Sequence, residues 1–153
     1  MSRNPAGASV DQPTAVNRRR RAPLWHAEAM SIRVVLADDS DDARDMLRMA
    51  LEMDGRFEVV AEAANGDEAI RLVEAHRPDA IFLDLMMPVL DGLRAIPEIR
   101  TQSPETKIIV LSVAAAHPSS SEAMDLGATA MIQKGGARTA HDLAGEVAGL
   151  FGP

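Results

Sequence analysis

The chain of 153 residues contains no cysteine and no tyrosine, and its aromatic residues are one tryptophan and three phenylalanines. Without cysteine there can be no disulfide, thiol nucleophile or thiolate zinc site. The shortage of aromatic rings argues against a stacking surface for nucleic acid or sugar. The sequence also lacks a run of about 18 apolar residues, the length that spans a bilayer, and the apolar stretch of a secretory signal. We therefore expect a cytoplasmic protein with an aliphatic core and no membrane contact.

Charge is distributed unevenly along the chain, whose formal net charge is −7. Residues 1–30 hold five arginines and two acidic residues, a net charge of +3, which leaves −10 for residues 31–153. A domain this acidic repels the phosphate backbone of DNA but suits a cation or a basic partner. We therefore expect no DNA binding. Residues 1–29 show no apolar periodicity and predict a disordered basic tail, with a single domain over residues 30–153.

Five short apolar runs alternate with amphipathic segments from Ser31 onward. The runs have the length and β-branched content of strands, and apolar residues repeat at intervals of three and four between them. These runs cover residues 32–37, 57–61, 80–83, 107–111 and 130–133. The β-then-α order predicts an α/β fold with a doubly wound, five-stranded parallel sheet and helices on both faces. Pro97 falls inside the helical segment 92–101 and is expected to kink that helix or delay its start.

Polar side chains follow four of the five predicted strands. Strand one ends in Asp38 and Asp39, strand three in Asp84, strand four in Ser112 and strand five in Lys134. Ligands of an open α/β sheet bind outside the carboxyl ends of its strands, so these residues are expected to form one site. Taken singly, each has a plain structural explanation, since acids before a helix cap its amides and complement its dipole.

Together, these residue types predict phosphoryl chemistry at a metal site. Three converging carboxylates repel each other, and a hard divalent cation such as Mg²⁺ relieves that repulsion. A lysine and a hydroxyl opposite the cation form a pocket for an anion, and phosphoryl oxygens match all three partners. The central acid, Asp84, can then be a carboxylate nucleophile.

The ordered motifs resemble the receiver domain of bacterial two-component response regulators over about residues 32–150. The similar segments are Val-Leu-Ala-Asp-Asp-Ser at 35–40, Ala-Asn-Gly-Asp-Glu-Ala-Ile at 64–70, Pro-Asp-Ala-Ile-Phe-Leu-Asp-Leu-Met-Met-Pro-Val-Leu-Asp-Gly at 78–92, Ile-Val-Leu-Ser at 109–112 and Leu-Gly-Ala-Thr-Ala-Met-Ile-Gln-Lys at 126–134. In sequence, these segments are most similar to receivers of the nitrate-response class. The resemblance implies a flavodoxin-like sheet with strand order 2-1-3-4-5.

The resemblance also implies a role for each site residue. Asp84 would accept the phosphoryl group from the phosphohistidine of a sensor histidine kinase or a phosphotransfer protein. Mg²⁺ would be bound by Asp39, Asp84 and the backbone carbonyl of Met86, with Asp38 acting through a coordinated water. Lys134 would pair with the phosphoryl oxygens, and Ser112 would swing in to hydrogen-bond them.

Four positions depart from the family's usual pattern. Met131 stands where an aromatic switch residue is normal, Gly135 where proline is common, and Val113 where a small residue usually follows the hydroxyl. Pro97, inside a predicted helix, is the fourth.

The predicted function is a phosphorylation-controlled switch rather than an enzyme with a separate substrate. Because the sequence stops soon after the last predicted helix, we expect a stand-alone receiver that acts on a downstream protein target. It could also pair as a homodimer through the fourth helix, fifth strand and fifth helix. One alternative is a receiver-like interaction domain that is never phosphorylated. The other is an aspartyl-phosphate phosphohydrolase, but that chemistry normally needs a second acid where this chain has Met86.

Overall fold

The computed structural model describes residues 31–112, 118–134 and 140–152, and at residues 118–120 and 140 it describes the backbone alone. Strands and helices alternate throughout this part of the chain. The strands are β1 (Ile32–Ala37), β2 (Phe57–Ala63), β3 (Ala80–Asp84), β4 (Lys107–Ser112) and β5 (Ala130–Gln133). The helices are α1 (Asp41–Asp54), α2 (Gly66–His76), α3 (Gly92–Gln102), α4 (Pro118–Leu126) and α5 (Ala140–Gly149).

The five strands form one parallel sheet in the order β2-β1-β3-β4-β5. The predicted fold class and strand order are therefore confirmed. Every residue of the central strand β3 is buried, because helices cover both faces of the sheet and leave no polar side for the strand to present.

The alternating residues of β3 divide the core into two clusters. Ile81 and Leu83 belong to a cluster that includes residues of α2, α3 and α4, whereas Phe82 belongs to a cluster that includes residues of α1 and α5. Because consecutive side chains of a strand point to opposite faces, each cluster fills one side of the sheet. This packing holds the carboxyl ends of the strands together at one edge, where the predicted site lies.

The predicted bounds of four elements, β2, β3, β4 and α3, need correction. β2 continues to Ala63, two residues beyond the predicted run, and α3 begins at Gly92 and passes through Pro97 to Gln102. Pro97 therefore does not delay the start of the helix. Asp91 fixes that start, because its side chain accepts a hydrogen bond from the amide of Arg94, and the buried face of α3 stabilises the helix around the proline. Asp84 and Ser112 are the last residues of their strands rather than the residues that follow them.

Several sequence predictions concern residues outside the described part of the chain. These are the basic tail over residues 1–29 and the departures at Val113 and Gly135. Of the two departures that the structure describes, Pro97 lies in α3, and Met131 lies half-buried in β5 against the core cluster on the α2–α3–α4 side. Among the described residues, no helix combines the length and the apolar character that a membrane crossing requires.

Candidate functional site

The carboxyl ends of β1 and β3 bring three aspartates together. Asp38 and Asp39 follow β1, Asp84 ends the neighbouring strand β3, and one carboxylate oxygen of each lies within 4.8 Å of the other two. Asp38 and Asp84 are buried and Asp39 is exposed, so the cluster opens to solvent on one side. Carboxylate oxygens are the hard ligands that Mg²⁺ prefers. This donor set fits a magnesium ion.

Lys134 lies between the two buried aspartates. Its Nζ donates hydrogen bonds to Asp38 Oδ2 at 2.7 Å and to Asp84 Oδ2 at 3.4 Å. Its backbone amide donates to the carbonyl of Ser112 at 2.7 Å, which joins the ends of β4 and β5 and brings the buried Ser112 to the same edge. We expected Lys134 to pair with phosphoryl oxygens; in this structure it pairs with two aspartates, because an ammonium group withdrawn from water needs a counter-charge within reach.

Burial and the charge of Lys134 have opposite effects on the pKa of Asp84. Burial raises the pKa of Asp84, and the charge of Asp38 adds to that rise, while the Met86 amide and Lys134 only partly offset it. Burial on its own would lower the pKa of Lys134, but its hydrogen bonds to the two aspartates and their negative charges outweigh burial and raise that pKa. The lysine therefore stays charged beside an acid whose ionised form is costly.

The turn between β1 and α1 separates the acids from the helix cap. Ser40 is the N-cap of α1, because its hydroxyl accepts a hydrogen bond from the amide of Ala43 at 3.1 Å. Asp38 instead accepts a 3.0 Å hydrogen bond from the amide of Ser40 on one carboxylate oxygen and the Lys134 ammonium on the other. The capping explanation therefore does not account for Asp38.

An arginine that the sequence analysis did not single out supports this turn. The guanidinium of Arg44 donates to the backbone carbonyl of Asp38 and to the side chain of Asp41, and its Nε lies 3.0 Å from Glu62 Oε1. Glu62 reaches it because β2 pairs with β1 and sets Glu62 beside Leu36. In the sequence, Arg44 is one of several charged residues of α1, and no pattern distinguishes it from the others.

The loop from β3 to α3 follows the central acid. The amide of Met86 donates a 3.1 Å hydrogen bond to Asp84 Oδ1. Further on, the amide of Leu90 donates to the carbonyl of Pro88 at 2.7 Å, and Val89 between them has a φ of +66°. This is the classic form of γ-turn, which is strained for a β-branched residue.

Two glycines allow this loop to approach its neighbours closely. A Cβ atom at Gly66 would lie 2.3 Å from the carbonyl oxygen of Leu90, and a Cβ atom at Gly92 would lie 2.1 Å from the carbonyl oxygen of Asp84. The amide of Gly66 donates to that same Leu90 oxygen at 2.7 Å. Both positions require glycine because the neighbour is backbone and cannot rotate away.

Similarity to known proteins shows which family the chain belongs to. The family model described as the response regulator receiver domain matches residues 34–142. The chain belongs to this family. The matched range includes all three aspartates of the site, together with Ser112 and Lys134, so these residues lie within the receiver itself.

Curated relatives of the receiver include methylesterases and transcriptional regulatory proteins. A protein-glutamate methylesterase/protein-glutamine glutaminase of Rhodospirillum rubrum is 34% identical over 137 residues, which are 83% of this chain and 35% of the relative. The uncharacterized transcriptional regulatory protein YhcZ of Bacillus subtilis is 43% identical over 81 residues, 53% of this chain and 38% of the relative. The chain thus spans about a third of the length of these relatives, and the part it shares with them is the receiver.

Solved receivers share the fold. The signal receiver domain of the response regulator NarL from Mycobacterium tuberculosis has a TM-score of 0.74 and 29% identity, covering 80% of this chain and 98% of that chain. The response regulator domain of Thermotoga maritima CheB has a TM-score of 0.69 and 30% identity, covering 77% and 91%. Since similar receivers occur in methylesterases as well as in transcriptional regulatory proteins, membership of the nitrate-response class stays a prediction.

Proposed function

We propose that this receiver is a phosphorylation-controlled signalling switch whose phosphoryl acceptor is Asp84. The observation that carries the proposal is the position of Asp84 at the end of the central strand. Its side chain is buried, its carboxylate lies within 4.8 Å of those of Asp38 and Asp39, and Lys134 Nζ is 3.4 Å from Asp84 Oδ2. An acid flanked by metal-binding carboxylates and a cation matches the needs of a carboxylate nucleophile.

The transfer step makes Asp84 a covalent nucleophile. A carboxylate oxygen of Asp84 attacks the phosphorus of the donor, and the bond from phosphorus to the donor's nitrogen breaks as the new P–O bond forms. Lys134 then pairs with the phosphoryl oxygens, and the Ser112 hydroxyl donates a hydrogen bond to one of them from the end of β4. The movement of Ser112 toward the phosphoryl group is the proposed switch.

The acids define the cofactor that the proposal needs. Asp39, Asp84 and the backbone carbonyl of Met86 would bind Mg²⁺, with Asp38 acting through a coordinated water. Bound Mg²⁺ would neutralise charge on the phosphoryl oxygens. Asp39 is the exposed acid of the cluster, so an ion can reach the site from its side.

Partners follow from family membership and from charge. The proposed donor is a sensor histidine kinase or a phosphotransfer protein, and the proposed output is a protein contact, with α4, β5 and α5 as the face for a target or a second copy. We propose a cytoplasmic receiver that extends over residues 30–153. Its net charge of −10 over residues 31–153 supports the proposal that it does not bind DNA. In this proposal, residues 1–29 are a tail that the phosphoryl chemistry does not use.

A small phosphodonor such as acetyl phosphate tests the acceptor directly. Incubation with the donor and Mg²⁺ should add one phosphoryl group to the wild type, measured by intact mass, and none to Asp84→Asn. Asp125→Asn, which changes an exposed acid on α4, should label like the wild type, and chelation of Mg²⁺ should abolish labelling. Undiminished labelling of Asp84→Asn would contradict the assignment of Asp84.

A further inference from the structure

Arg44 lies where helix α1, strand β2 and the turn that carries the acids meet. Its side chain is only 14% exposed, and its guanidinium contacts acceptors from all three segments. These acceptors are the backbone carbonyl of Asp38, the side chain of Asp41 and the side chain of Glu62. The planar guanidinium carries five N–H donors in a fixed arrangement. It can therefore hold the three acceptors in one geometry.

The contact with Asp38 acts on the peptide that joins two of the three acids of the site. The amide of Asp38 is held by the sheet, because it donates to the carbonyl of Ala63 at 3.0 Å. The carbonyl of Asp38 belongs to the peptide between Asp38 and Asp39, and Arg44 holds it from the helix. Because a peptide unit is planar, fixing this carbonyl fixes the direction in which the chain passes from one acid to the next.

A second arginine of α1 separates two parts of this arrangement. Arg44 and Arg48 both contact Glu62, but the side chain of Arg48 is 40% exposed and that of Arg44 only 14%. Of the two, Arg44 is the arginine that bonds to the Asp38 carbonyl. The contact with Glu62 therefore anchors Arg44 to the edge strand, while the bond to the carbonyl reaches the acid site.

We propose that Arg44 is a positioning residue of the metal site, which sets the carboxylates of Asp38 and Asp39 in place for Mg²⁺ through the peptide between them. The proposal rests on the proposed function, since it takes these acids to be the ones that bind the metal. It goes beyond that function because it gives a role to a residue that is neither a metal ligand nor a partner of the phosphoryl group.

The charge of Arg44 predicts the opposite effect on metal binding. A cation near the three acids repels Mg²⁺, so removal of this charge alone would tighten binding. Loss of positioning would weaken binding, because carboxylates that must be ordered when the ion arrives bind it less tightly than carboxylates already in place. The direction in which the Kd of Mg²⁺ changes therefore distinguishes positioning from charge.

The probe is Mg²⁺ alone, titrated into the full chain at constant ionic strength and followed by the amide NMR signal of Ser40. Arg44→Gln should raise the Kd at least threefold, although it removes a positive charge. Arg44→Lys keeps the charge but replaces the planar fork with a single ammonium group; it should also raise the Kd, and it is the test if the glutamine variant does not fold. Arg48→Gln, the matched control, removes a charge and a contact with Glu62 from the same helix and should not raise the Kd.

A measurement without metal tests the positioning apart from the proposed function. The amide of Ser40 donates to Asp38 Oδ1 at 3.0 Å, so its hydrogen exchange reports whether that carboxylate is held in place. In the absence of Mg²⁺, this exchange should be at least threefold faster in Arg44→Gln than in the wild type and unchanged in Arg48→Gln.

The two measurements fail in different ways. A tighter or unchanged Kd in Arg44→Gln, a wild-type Kd in Arg44→Lys, or unchanged exchange of the Ser40 amide would overturn the proposal. A wild type that does not bind millimolar Mg²⁺, with a Ser40 amide that still responds to Arg44→Gln, would overturn the proposed metal site and confirm the effect of Arg44 on the Asp38 carboxylate.

Discussion

At the scale of single residues, the site places a buried acid, whose ionised form is unfavourable, beside a charged lysine. Asp84 is 4% exposed and lies close to Asp38, so its ionised form is disfavoured by desolvation and by a like charge. Lys134 offsets part of this cost by bonding to both carboxylates. The remaining cost is consistent with a site whose charges are arranged for a ligand rather than for stability.

The raised pKa of Asp84 predicts a pH-dependent effect of Asp84→Asn. An acid whose pKa is higher in the folded state contributes stability that is present below the unfolded-state pKa and is lost as the pH rises through the folded-state pKa. Without Mg²⁺, the variant should therefore equal the wild type near pH 3.5 and be more stable at pH 7, by about 1 kcal/mol. Urea denaturation across this pH range measures the difference. An Asp84→Asn advantage that grows toward low pH would contradict the raised pKa of Asp84.

The sequence predicted which residues meet at the site but not how they pair. Because the carboxyl ends of parallel strands share one edge, residues at strand ends can be grouped without knowing side-chain positions. The bond from Lys134 to Asp38, and the contact of Arg44 with the Asp38 carbonyl, depend on the reach of long side chains in the packed fold. No local pattern encodes that reach.

At the scale of elements, the loop between β3 and α3 is held in place by two close backbone approaches. Gly66 at the start of α2 contacts Leu90, and Gly92 at the start of α3 contacts the backbone of Asp84. The two contacts lie at the two ends of the loop that contains Met86, one at Asp84 and the other at Leu90. The position of the proposed metal-binding carbonyl therefore depends on helices that contribute no side chain to the site.

Alanine substitutions at two glycines should have opposite effects on stability. Gly66→Ala places a Cβ atom 2.3 Å from a backbone oxygen and should lower the free energy of unfolding by about 1–3 kcal/mol. Gly145→Ala, in α5 with nothing within 4 Å of the added Cβ, should raise it by about 0.5–1 kcal/mol because alanine favours helix. Urea denaturation followed by circular dichroism measures both. Equal changes in the two variants would show that the close approach at Gly66 has no energetic weight.

Element types were predictable from periodicity, whereas some element ends were not. Five short apolar runs identified the strands, and the segments between them, with apolar residues at intervals of three and four, identified the helices. The end of β2 at Ala63 follows from pairing with β1, which continues through Ala37, and no residue after Ala61 signals it. The persistence of α3 through Pro97 follows from the capping Asp91 and the buried Ala95, Ile96 and Ile99, a tertiary contribution that overrides local propensity.

At the scale of the whole molecule, folding assembles the acid cluster from segments far apart in the chain. In sequence, two helices and the strand β2 lie between Asp38 and the strand that ends in Asp84, and the two acids meet because β1 and β3 are neighbours in the sheet. That neighbour relation came from the resemblance to receivers, since the β-then-α order alone allows several strand orders. A ligand that binds the assembled cluster must therefore stabilise the entire fold.

Magnesium should raise the stability of the receiver, and Asp39→Asn should separate the two effects of the acid cluster. At a concentration one hundred times its Kd, Mg²⁺ should stabilise the wild type by about 2.7 kcal/mol. Without metal, Asp39→Asn should be slightly more stable than the wild type, by about 0.5 kcal/mol, because it removes one of three repelling charges. The same variant should lose most of the Mg²⁺-dependent rise in Tm, since it lacks the exposed ligand. Thermal melts at matched ionic strength, with Asp125→Asn as the control that keeps the full response, measure both effects. A wild type that does not respond to millimolar Mg²⁺, or a variant that responds fully, would mean that Asp39 is an ordinary acid preceding helix α1.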